Sequence, residues 1–195
     1  MGLASIVTAA RADPPVILIL GDSLSAAYGI SADQGWVHLL ERRLADQALA
    51  YRVVNASISG ETTVGGVARL PELLAEHRPE VLIVALGAND GLRGFPLNRM
   101  RDNLERLASL GLDAGARVLL VGVRLPPNYG AAYSERFQGT FRDAAESRGV
   151  ALVPRLLEGV AEDWGLMQAD GYHPTAEAQP RMLDNVWPVL EPLLR

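Results

Sequence analysis

The chain has 195 residues, enough for one sizeable core, and its 18 basic against 23 acidic residues leave a net charge of −5. Without a basic block it lacks the signature of a nucleic-acid partner. The absence of cysteine excludes disulfides, thiol nucleophiles and thiolate metal sites.

The N-terminal stretch from Gly2 to Ala10 is small and apolar. Ala10-Arg11-Ala12 resembles a small-residue cleavage site, but a basic leader region is missing. Residues 1–14 therefore read either as a signal-peptide remnant or as a flexible start, with a single domain over 15–195. No run approaches the roughly 18 apolar residues that span a bilayer, so no stable membrane insertion is expected.

The first predicted strand is Val16–Leu20, leucine-rich and β-branched without polar alternation, as for a strand buried on both faces. It runs straight into Gly21-Asp22-Ser23-Leu24. That puts Ser23 at the strand's C-terminal end, where open α/β sheets bind ligands. A serine there is either a nucleophile or the cap of the next helix. Trp36, Leu39, Leu40 and Leu44 follow at helical spacing, then a strand at Tyr51–Asn55 and the turn Ala56-Ser57-Ile58-Ser59-Gly60-Glu61-Thr62. Pro71 predicts a helix that is broken or restarted.

A third strand at Val81–Leu86 leads into Gly87-Ala88-Asn89-Asp90-Gly91. Met100, Leu104, Leu107 and Leu110 mark a helix, and Gly115 sits where a helix C-terminus wants glycine. Then come a strand at Arg117–Val123, a helix through Phe137, Phe141 and Ala145 ending near Gly149, and a strand at Ala151–Val153. The last helix is expected to begin near Pro180 and end by Pro188 or soon after. Five strands alternating with helices predict a parallel sheet covered on both faces: a three-layer α/β/α sandwich, flavodoxin-like.

Parallel strands share one C-terminal edge, so the turns bearing Ser23, Gly60 and Asn89 converge on one crevice. Alone, Gly60 reads as a turn residue and Asn89-Asp90-Gly91 as a turn sequence. Of the three histidines, His38 lies on an amphipathic helix and His77 at a helix end. His173 lies in the loop Asp170-Gly171-Tyr172-His173-Pro174, three residues after a carboxylate. Across a tight turn Asp170 reaches one ring nitrogen and leaves the other to take a proton from Ser23. Asn89 and the backbone N–H groups of Ser23 and Gly60 are then the donors available to an oxyanion.

No Gly-x-Ser-x-Gly elbow, phosphate loop, dinucleotide fingerprint or His-Glu-x-x-His is present. Asp22, Asp90 and Asp170 with His173 make a weak set for a hard metal, and no metal is expected.

These blocks resemble the GDSL/SGNH hydrolase family. Gly21-Asp22-Ser23-Leu24, Gly60, Gly87-x-Asn89-Asp90 and Asp170-x-x-His173 occur in its order. The stretches Asn55–Gly60, Asn89–Gly94, Arg124–Gly130 and Met167–Gly171 look like its thioesterase I/lysophospholipase L1/arylesterase branch. The resemblance implies a cofactor-free serine esterase acting on small ester, thioester or lysolipid substrates. It also implies export to the periplasm or outside the cell, although the incomplete leader leaves the cytoplasm open. A monomer is expected. Where relatives often carry a second glycine this chain has Ala88, and where a smaller aliphatic residue is common it has Tyr172.

The expected triad is Ser23, His173 and Asp170, with Ser23, Gly60 and Asn89 as the oxyanion hole. Leu125, Pro126, Tyr129, Met167 and Tyr172 are the candidate substrate contacts. Trp164, Leu166 and Met167 are either chain-groove residues or ordinary core. A carbohydrate O-deacetylase on the same scaffold and a catalytically silent flavodoxin-like binding module are the alternatives.

Overall fold

The computed structural model describes residues 13–195, so most of the 1–14 segment singled out above lies outside the described residues. Five strands form one parallel sheet: β1 (Val16–Gly21), β2 (Arg52–Asn55), β3 (Val81–Ala85), β4 (Arg117–Val121) and β5 (Ala151–Val153), in the order β2-β1-β3-β4-β5. Every residue of β1 and β3 is buried, while β2, at one edge, has only half-buried and exposed residues. That difference explains the unbroken apolar runs of the inner strands. Leu18 is paired with Val54 on one side and Leu82 on the other.

The helices are α1 (Trp36–Asp46), α2 (Thr63–His77), α3 (Ala88–Leu92), α4 (Leu97–Asp113), α5 (Ala131–Arg148) and α6 (Gln179–Leu190). Right-handed crossovers put the β1-to-β2 connection on the face opposite the others. Accordingly α1 packs with α6, and α4 packs with α2 and α5. Strand order reverses beside β1, so the topological switch point lies between β1 and β3, where such sheets place their ligands.

One helix expectation is corrected. α2 is continuous through Pro71, because Leu70 and Leu74 on either side are buried in the core and outweigh one lost backbone hydrogen bond. α6 keeps the expected bounds, starting at Gln179 beside Pro180 and ending at Leu190 soon after Pro188, with Val186 and Leu190 buried, and a short 3₁₀ turn carries on over Glu191–Leu194. The glycine stops hold: Gly115 and Gly149 have φ of 83° and 62° just past α4 and α5.

Candidate active site

Ser23 caps no helix. α1 begins only at Trp36, with Gly35 at its N-cap, and Ser23 sits in a run of turns after β1. Its hydroxyl lies 2.9 Å from His173 Nε2. On the other side of the ring, His173 Nδ1 lies 2.6 Å from Asp170 Oδ2.

An ionised carboxylate only accepts, so Nδ1 carries the hydrogen and Nε2 presents its lone pair to the serine. Asp170 Oδ1 accepts from the backbone N–H groups of Tyr172 and His173 at 2.9 and 3.0 Å. Burial pushes the Asp170 pKa up, but the His173 ring and those two N–H groups outweigh it and hold the carboxyl down at about 2.

The loop carrying this pair is closed on itself. Met167 and Pro174 form an antiparallel bridge. Gln168 N–H donates to the His173 carbonyl at 2.7 Å and Thr175 N–H to the Leu166 carbonyl at 2.8 Å. The Gln168 amide donates to the carbonyls of Pro174 and Tyr28, both at 2.8 Å. It thus ties the histidine loop to the serine loop. The Tyr28 ring lies over the imidazole, centroids 4.4 Å apart and tilted by 37°.

Across the switch point, α3 and its following turn hold the Gly60–Thr63 segment. Asn89 donates to the Glu61 carbonyl at 2.9 Å, and Arg93 to the Gly60 carbonyl at 3.0 Å. Asp90 accepts from the Thr63 N–H and hydroxyl at 3.0 and 2.6 Å. Gly60 has φ of 81°, which favours glycine, while a Cβ there would meet only Arg93. The positive φ is what requires a glycine in this turn. Gly87 is required on two counts: its φ is 123°, and a Cβ would strike Met100 and Phe141. Ala88 opens α3 in a helical conformation that alanine suits, so the missing second glycine carries no strain.

The backbone N–H groups of Ser23 and Gly60 find no acceptor among the described residues. They and the Asn89 amide stand after the C-terminal ends of β1, β2 and β3.

Asp22 is 2% exposed. Its Oδ1 accepts from Leu24 N–H at 3.0 Å, and its Oδ2 from the Asn89 amide at 3.3 Å. Burial pushes its pKa up, the Leu24 N–H and His173 pull it down, nearby Asp90 raises it, and it comes to about 6.

Ser23 and Asp170 are each in direct contact with His173, and Asn89 bonds Asp22, the neighbour of Ser23, and Glu61, the neighbour of Gly60. The substrate candidates divide. Leu125 is buried in the core, and its side chain would meet a Cβ on Gly91. Pro126, Tyr129 and Met167 are half-buried, and the Tyr129 hydroxyl donates to the Leu92 carbonyl. Tyr172 and Trp164 are exposed; at 79%, Trp164 is not part of the core. Local sequence signals do not single out Tyr28, Gln168 or Arg93, and mark Asp22 only as a weak metal candidate. Their contacts join distant loops and leave no local pattern.

A doubly covered parallel sheet with a serine–histidine–aspartate relay at its switch point, and no nucleophile elbow, defines a serine hydrolase of the flavodoxin-like kind. The match to known families is specific: residues 19–180 fit the GDSL-like lipase/acylhydrolase family, and the chain belongs to it. It is 52% identical over 192 residues to esterase TesA of Pseudomonas aeruginosa, covering 98% of this chain and 96% of that one. It is 43% identical to thioesterase 1/protease 1/lysophospholipase L1 of Escherichia coli, covering 95% and 87%. Among solved structures, the psychrotrophic esterase EstA from Pseudoalteromonas sp., inhibited by monoethylphosphonate, superposes with a TM-score of 0.87 at 40% identity, covering 92% and 98%.

Proposed function

We propose that this protein hydrolyses carboxylic esters, and thioesters by the same route, through an acyl-enzyme on Ser23. The observation that carries this is the relay from Ser23 Oγ through His173 to Asp170, at 2.9 and 2.6 Å. His173 Nε2 takes the hydroxyl proton as Oγ attacks the acyl carbon. Negative charge then collects on the former carbonyl oxygen, met by the N–H groups of Ser23 and Gly60 and the Asn89 amide. His173 gives its proton to the leaving alcohol or thiol, and then activates water against the acyl-enzyme. Asp170 stays ionised throughout and stabilises the imidazolium, and the Tyr28 ring covers its face.

The names of the relatives, esterase and thioesterase/lysophospholipase, support small esters, thioesters and lysolipids as substrates. Met167, Pro126 and the exposed Tyr172 border the acyl group in this reading. Each residue of the relay comes from one chain, so a monomer suffices for this chemistry.

A fluorophosphonate probe tests the nucleophile. Wild-type protein is expected to label at Ser23 and S23A to stay unlabelled. Folded wild-type protein that resists the probe would overturn the proposal and favour a binding module. A hydrolysis panel of p-nitrophenyl esters, acyl-CoA, lysophospholipid and acetylated sugar then separates the esterase from a carbohydrate deacetylase.

A further inference from the structure

Asn89 poses a counting problem. Its amide nitrogen has two hydrogens. One goes to the Glu61 carbonyl at 2.9 Å, and the other faces Asp22 Oδ2 at 3.3 Å. An oxyanion is a third acceptor for two hydrogens. The contact to Glu61 has ordinary length, while the one to Asp22 lies just beyond the usual 2.7–3.2 Å range, so it is the one that yields.

Asp22 is well placed for this. It adjoins the nucleophile in sequence and is fully enclosed, with Oδ1 anchored by the Leu24 N–H. Oδ2 has no protein donor besides Asn89 among the described residues. The groups facing it are the Asn89 amide, the neighbouring Asp90 carboxylate and the His173 ring. The relay uses neither of its oxygens.

We propose that Asp22 is a positioning residue for the oxyanion hole: it holds the second Asn89 hydrogen in the resting enzyme and hands it to the oxyanion as the tetrahedral intermediate forms. Asp170 and Asp22 then have parallel tasks, one orienting the base and the other the oxyanion donor. No proton changes residue in this step; one N–H changes acceptor. When the intermediate collapses, the hydrogen returns to Asp22. Without that acceptor the amide is fixed only by its bond to the Glu61 carbonyl.

This rests on Asn89 being an oxyanion donor, and a double-mutant cycle separates the two claims. D22N keeps the shape and an acceptor for the Leu24 N–H. It turns an amide donor toward Asn89, so that two donors face each other. Wild type, D22N, N89A and D22N/N89A are assayed on one p-nitrophenyl ester at pH 8, with melting curves to confirm folding.

N89A is expected to lose roughly 10²–10³ in kcat. D22N should lose roughly 10- to 100-fold, as for a misplaced catalytic group, with KM nearly unchanged. The double variant should be no slower than N89A, because Asp22 acts through Asn89. A purely structural role, or one exerted on His173, makes the two losses multiply and overturns the proposal. So does a folded D22N with full kcat while N89A is slow. Full kcat in N89A removes the premise instead.

Discussion

Asp22 and Asp170 are two aspartates of one site whose acidities are driven apart. Asp170, fed by the His173 ring and two backbone N–H groups, ionises at about 2, while enclosed Asp22 does so only at about 6. The sign follows from linkage. The folded protein holds the Asp22 proton more tightly than an unfolded chain does, where the carboxyl has its ordinary value of 3.8. Stability is therefore lost as pH rises through that window. Two pK units correspond to about 3 kcal/mol. D22N removes the titration, so its unfolding free energy relative to wild type should rise from pH 4 to pH 7 and then level off. Denaturant melts across that range check this, and a pH-independent difference would contradict the buried charge. Asp170 has the opposite sign, lending stability above about pH 4 that disappears toward pH 2.

The catalytic elements are loops, held by hydrogen bonds across rather than along the chain. Gln168 is the clearest case, since one amide joins the Tyr28 and Pro174 carbonyls. Q168A should lower kcat by roughly 10-fold or more through misplacement of His173, and the melting curve should show the fold kept. Unchanged kcat would mean that the Met167–Pro174 bridge alone holds the loop. Asp170 and His173 were legible in the sequence because their contact spans three residues and a tight turn. Tyr28 was not, because its partner His173 lies on another loop and no spacing encodes that. The same applies to the proline of α2. Pro71 carries a local signal to stop, and buried neighbours on the same helix override it.

At the scale of the molecule the site depends on the sheet. β3 lies at its centre, between β1 and β4, and delivers Asn89 from its end. Leu82 on β3 is fully buried, and L82A should cost about 2–5 kcal/mol. This is read as a lower denaturant midpoint with an unchanged slope; a cost below about 1 kcal/mol would mean the core collapses around the gap. By itself the sequence determined the elements and the chemistry. Apolar runs mark doubly buried strands, and Ser23, Gly60, Asn89, Asp170 and His173 stand in or beside turns, because periodicity and turn composition are local properties. Only the tertiary structure decided that β1 and β3 are neighbours, that Ser23 caps no helix and lies against His173 Nε2, and that Asp22 shares the Asn89 amide. Those facts depend on which strands pair and which loops meet, and pairing is set by burial summed over the whole chain.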